Sequence, residues 1–182
     1  MTPTDLLIPT YRQMLRMLCG LLDTAQQQMP DRMEALMSAR LADDMYPLAT
    51  QLRFAALQAQ EAGYRLRGED MPGRLLALGA EARGAGEAPG SVADARSRID
   101  EALAFLAEAR LDAEAPVALK LPNGMAFDMA AEEYVRDWAL PQFYFHVVTA
   151  YAILRHHGVA IGKGDYVPHM FAYLRPGTAP GA

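Results

Sequence analysis

One cysteine, Cys19, stands in 182 residues, so no disulfide can close within the chain, and a reduced, cytoplasmic setting is expected. Charge is scarce: Asp, Glu, Lys and Arg make up 21%, with 17 basic against 22 acidic side chains. A surface that neutralises phosphates needs clustered Lys and Arg, so nucleic acid is excluded as a partner at a net charge of −5. No apolar run approaches the roughly 18 residues of a membrane span, and no membrane partner is expected. The opening Met1-Thr2-Pro3-Thr4-Asp5 lacks the basic region of a secretory leader. A Gly-x-Ser-x-Gly elbow is missing. Gly158 to Lys163 is no phosphate loop either, because Gly164 follows the lysine and the segment trails a helix instead of leading one.

What is present is apolar material for one core: 52% of the residues, 33 of them alanine. The length fits a single domain, 1–174, followed by a tail, 175–182, expected to be disordered. Tyr11, Met14, Leu15, Leu18, Leu21, Leu22 and Ala25 fall at spacings of three and four, one stripe of a first helix. A second is expected over Asp43–Leu66, with Tyr46, Leu48, Leu52, Ala55, Ala59, Ala62 and Leu66 inward and Pro47 confined to its first turn. Asp31–Leu41 reads as a short extra helix, and Gly68–Gly90, rich in Gly, Ala and Glu, as a low-complexity loop. Ser91 with Asp94 forms a capping pattern that opens a third helix carrying Val92, Ile99, Leu103, Leu106 and Leu111.

From Val117 to Met129 the period changes to two around Pro122-Asn123-Gly124, a hairpin signal with positive φ expected at both Asn123 and Gly124. A fourth helix is expected over Ala130–His157, interrupted at Pro141 and stopped by Gly158. The fold class is therefore all-α: an antiparallel four-helix bundle with a short β-hairpin inserted before the last helix.

Six of the fifteen aromatics, Tyr134, Trp138, Phe143, Tyr144, Phe145 and Tyr151, lie in this fourth segment with His146, His156 and His157. A site is expected there. At 3.6 residues per turn, His146 and His157 face the same way but stand about 16 Å apart along the axis, too far for one ion. His156 and His157 diverge by about 100°. The i+4 neighbour of His146 is Ala150, which has no donor atom. Asp43 and Asp44 read either as first-turn acids that complement a helix dipole or as weak metal partners of His146. His146 itself is either a buried hydrogen-bonded imidazole or a ligand. His156 and His157 suit a helix C-terminus. Lys163 and Asp165 are expected to pin the returning segment by charge, with Arg155 or Lys163 able to hold an anion. Cys19 reads as an inert packed thiol.

Ala139-Leu140-Pro141-Gln142-Phe143-Tyr144-Phe145-His146-Val147-Val148-Thr149-Ala150-Tyr151-Ala152-Ile153-Leu154-Arg155, with Gly162-Lys163-Gly164-Asp165, resembles the signature of the domain-of-unknown-function family numbered nineteen ninety-three. The stretch Leu41 to Leu48, with Gln51, is similar to a second motif of that family. The family is grouped with the DinB/YfiT-like superfamily, which implies a four-helix bundle, dimerisation and, in many members, a divalent metal held by three histidines. Some relatives are thiol-dependent transferases or isomerases. Their ligands are one histidine on the second helix and a His-x-x-x-His pair on the last. This chain departs on both counts, with no histidine on the second helix and Ala150 after His146.

The expectation is thus a non-catalytic or ligand-binding homodimer without that metal site, no cofactor being expected. The alternative is an enzyme or a binder of small organic acids or thiol conjugates. Its pocket would comprise Asp44, Tyr46, His146, Tyr151, Arg155 and Lys163, with His146 as general acid or base; a weak divalent metal is part of that alternative. Met14, Met17 and Leu21 are compatible with either a dimer face or the chain's own core.

Overall fold

The computed structural model describes residues 2–111, 116–121 and 123–178. Helix α1 (Pro3–Gln28) is opened by a reciprocal cap: Asp5 N–H donates to the Thr2 hydroxyl and Thr2 N–H to the Asp5 carboxylate. Its apolar stripe is buried from Leu7 to Ala25, and Met14, Met17 and Leu21 belong to the chain's own core. A 3-10 turn (Pro30–Arg32) and the one-turn α2 (Met33–Leu36) follow, shorter than the helix expected over 31–41.

Helix α3 runs Leu48–Leu66 and does not begin at Asp43–Tyr46. The cause lies in the preceding loop. Leu48 N–H donates to Ala39 C=O (2.9 Å) and Ala49 N–H to Met37 C=O (3.0 Å), so the chain doubles back and Pro47, at φ −71° and ψ 170°, caps the helix from outside. Asp43 and Asp44 are left exposed in the turn before it, not in a helical first turn.

The expected loop at 68–90 contains a helix, α4 (Gly73–Gly84). Its Leu75 and Leu78 pack on Leu57 in a satellite cluster on the far face of α3, and the Thr50 hydroxyl donates to Ala82 C=O at 2.9 Å. Three helices meet where Arg53 of α3, only 2% exposed, donates through Nε to Glu81 of α4 at 2.6 Å. Arg98 of α5 (Val92–Glu108) reaches the other Glu81 oxygen at 3.0 Å. Burial raises the Glu81 carboxyl, but the hydrogen bonds and charges of the two guanidinium groups outweigh it and hold it below its ordinary range. Helix α5 opens with the expected Ser91–Asp94 capping box.

Strands β1 (Val117–Lys120) and β2 (Ala126–Met129) pair antiparallel, Val117 opposite Met129 and Lys120 opposite Ala126, with Val117 and Leu119 buried. The turn differs from expectation. Gly124 has φ +91°, but no described non-glycine residue has positive φ. Gly124 N–H closes on Leu121 C=O (3.0 Å) and Leu121 N–H on Met125 C=O (2.8 Å), a three-residue connection in place of the two-residue primed turn.

The last long helix is continuous but irregular: α6 (Ala131–Glu133), a π-helical stretch (Tyr134–Ala139) and α7 (Leu140–His156). Pro141 has no N–H to offer Asp137, and just before it Leu140 N–H reaches back five residues to Val135 C=O. Gly158, at φ +96°, ends α7: Val159 N–H bonds Leu154 C=O and Gly158 N–H bonds Arg155 C=O, the paired geometry of a left-handed C-terminal cap. The returning segment is not pinned by charge. Lys163 makes no ion pair among the described residues, and Asp165 accepts Gly162 N–H at the start of α8 (Lys163–Tyr166). Gln28 instead clasps Ala160 from both sides, donating to its C=O at 3.2 Å and accepting its N–H at 2.7 Å. Of the tail, Arg175–Thr178 closes a turn, and 179–182 lie outside the described residues.

The chain is mostly helical with one small hairpin, and its helices number more than four. Helix α3 touches α4, α5 and α7; α1 touches α5 and α7. One continuous apolar core fills the space among α1, α3, α5 and α7. Inside it the Tyr11 hydroxyl is buried without a hydrogen-bond partner, so burial drives its pKa well up. Tyr11→Phe removes that uncompensated group while keeping the ring against Phe143 (centroids 4.6 Å apart). Urea unfolding is expected to show unchanged or higher stability, by about 1 kcal/mol; a loss of that size would reveal a bond the hydroxyl makes.

Candidate functional site

The α7 residue that looks into α3 is His146, 8% exposed. Its Nδ1 lies 2.8 Å from Gln51 Oε1, and Gln51 Nε2 donates to Tyr46 C=O at 3.1 Å. Those contacts fix the protons: the amide oxygen accepts, so Nδ1 carries the hydrogen and Nε2 keeps a lone pair. Phe54 stacks on the imidazole, centroids 4.9 Å apart, and Phe145 meets it edge-on at 5.4 Å. Tyr46 stands against Phe54 at 6.0 Å. Burial lowers the His146 pKa from 6.5 to about 4, so the ring is neutral at pH 7. A general base works best with a pKa near the working pH, and this imidazole sits well below it.

The other expected site residues are dispersed. Tyr46 joins the His146 cluster through its carbonyl and ring. Asp43 and Asp44 are exposed and make no contact with His146. Tyr151 turns to another face, where its ring meets Tyr166 at 5.7 Å and a groove of about 210 Å³ is lined by Val148, Tyr151, Lys163 and Tyr166. Arg155 is exposed. His157 is tied to the loop before α3, its Nε2 donating to Arg40 C=O at 3.0 Å. Gln51 and Phe54, the residues that hold His146, were not among the expected site residues. The available signal was a polar side chain at 51, three residues after Leu48 on the inward stripe.

The implied three-histidine metal can be tested on this donor set. Gln51 faces His146 from α3, with its oxygen spent on Nδ1 and its amide on Tyr46 C=O. Ala150, one turn on, is fully buried and offers no donor. Among the described residues no three His, Cys, Asp or Glu side chains are grouped to hold a metal ion. The residues present do not fit that group.

With this geometry, comparison places the chain. It is similar to a DinB family member protein from Shewanella denitrificans, whose crystal structure superposes with a TM-score of 0.73 at 28% identity, covering 97% of this chain and 95% of that one. The class is thus a DinB-like helical protein. Residues 4–167 match the family described as Domain of unknown function (DUF1993), and the chain belongs to that family. No curated protein matches it. Among the described residues no helix is long and apolar enough to cross a membrane.

Proposed function

We propose that this protein is a cytoplasmic, non-catalytic homodimer, a DinB-like four-helix bundle elaborated by α4 and the hairpin, whose former ligand position serves packing. The observation that carries this reading is the His146–Gln51–Tyr46 chain of hydrogen bonds. It occupies Nδ1 and ties α7 to α3, as a satisfied buried polar network does, while burial keeps the ring neutral. Dimerisation is supported by the apolar surface beside it. Phe145, which meets the imidazole edge-on, and Val148, three residues on along α7, are 56% and 48% exposed, and neighbouring large apolar side chains on a surface mark an interaction site.

Two measurements test the proposal on protein purified without a histidine tag. Metal analysis is expected to find no stoichiometric transition metal. Sedimentation at micromolar concentration is expected to give a dimer that Val148→Glu converts to a monomer. Stoichiometric metal that disappears in His146→Ala, or a monomeric wild type, overturns it. One observation favours the alternative binder: His146 Nε2 has no partner among the described residues. A thermal-shift screen of carboxylates and thiols decides, because a response abolished by His146→Ala makes the cluster a ligand pocket.

A further inference from the structure

A groove of about 400 Å³ lies between α1 and the stretch formed by α8 and the segment that follows it. Its size suits a small ligand. Arg16 and Asp165 both line it, yet they form no ion pair with each other or with any described residue. Asp165 uses one carboxylate oxygen to accept Gly162 N–H at 2.7 Å, which leaves the other available. His169 forms part of the wall, and its Nδ1 is buried without a hydrogen-bond partner among the described residues. Met17 and Leu21 lie beneath the groove, 2% and 1% exposed, and Gly20 and Pro168 give it exposed apolar surface.

Gly20 lines the same groove and is exposed. It sits in the interior of α1, where glycine is less favourable than alanine. Its φ is not positive, and a Cβ built on it would meet nothing within 4 Å. Neither backbone conformation nor close packing requires a glycine there. The physical consequence of its missing side chain is the space it leaves open in the groove it lines.

We propose that this groove binds a small zwitterion bearing an apolar group, of the amino-acid class: its carboxylate on Arg16, its ammonium on Asp165, its apolar part beside Gly20 and Pro168. A guanidinium matches a carboxylate with paired donors. The opposing carboxylate disfavours a dianion such as phosphate and favours a ligand that carries both charges. This inference does not rest on the function proposed above.

The test uses the full chain and three probes of one shape: L-phenylalanine, 3-phenylpropionate without the amine, and phenethylamine without the acid. Affinities come from calorimetry and the location from amide chemical shifts. L-phenylalanine is expected to saturate shifts at Gly20 and Thr24 and to bind at least tenfold tighter than either one-charge analogue. Arg16→Ala weakens L-phenylalanine and 3-phenylpropionate at least tenfold and leaves phenethylamine unchanged. Asp165→Asn retains an oxygen to accept Gly162 N–H and shows the reverse pattern. Gly20→Leu fills the groove and abolishes all three without lowering the melting temperature. Equal binding of the three probes, no saturable binding of any, shifts that map elsewhere, or indifference to both charge variants overturns the proposal.

Discussion

Glu81→Ala is expected to cost about 3–5 kcal/mol of stability, the largest effect of any single substitution considered, because it strands the buried Arg53 guanidinium. The loss would not come from Glu81 itself, which is partly exposed. It would come from Arg53, which keeps one hydrogen bond, to the Ala49 carbonyl at 3.1 Å, and the charge of Asp94, while the α4 side of its fork goes bare. Arg98 falls back on Glu101 at 2.9 Å. A compensating change separates the two causes. Arg53→Met in the Glu81→Ala background removes the stranded charge and fills similar volume, so urea unfolding should show the double variant more stable than Glu81→Ala alone. If Glu81→Ala costs under about 1 kcal/mol, then water reaches Arg53 and the pair is an ordinary surface bridge.

The second large effect is on pH. In the unfolded chain His146 titrates near 6.5; folded, burial holds it down to about 4. Between those values the unfolded state binds the extra proton, so stability is complete above pH 6.5 and falls as the pH drops towards 4. A shift of that size amounts to about 3 kcal/mol at the acid end. Glu81, Asp5 and Asp94 are held below their ordinary carboxylate range, so their contributions are lost in the same direction but at lower pH. His146→Gln should therefore flatten the stability profile between pH 4.5 and 6.5 while leaving the steeper decline below it. An unchanged slope in that variant would mean that His146 is protonated in the fold.

Much of the fold was legible because local chemistry and tertiary packing agree. Ser91 and Asp94 cap α5 without help from elsewhere, alternation marks the hairpin, and Gly158 stops α7. The failures have a common cause in tertiary contacts that override composition. Helix α4 looks like a loop because it holds as many glycines as leucines, three of each; it is helical because Leu75, Leu78 and Ala82 have a face of α3 to cover. The late start of α3 comes from another tertiary contact, the bonds of Leu48 and Ala49 back to Ala39 and Met37. A helix packed on two opposite sides buries Thr50, Gln51, Arg53 and Gln60 along with its apolar stripe, so one inward face cannot be drawn for it. At the site, His146 was identifiable from its apolar neighbours and the spacing that denies it a second imidazole. Its partner was not, because the Gln51–His146 bond joins residues 95 positions apart. Pairing Tyr151 and Arg155 with His146 fails on different grounds, which helix spacing alone shows: at about 100° per residue they lie about 140° and 180° from it around α7.

The wide turn before Pro141 counts residues for the rest of the chain. A five-residue reach from Leu140 to Val135 amounts to one amino acid inserted into a regular helix, and each residue of a helix turns it by about 100°. Deleting a residue between Val135 and Ala139 would let ordinary spacing resume, and everything upstream would rotate by that angle about the α7 axis. The passenger is the hairpin, whose Val117 and Leu119 now lie buried against α3. They would swing off that surface, so the aim of the hairpin depends on the length of a helix it does not belong to.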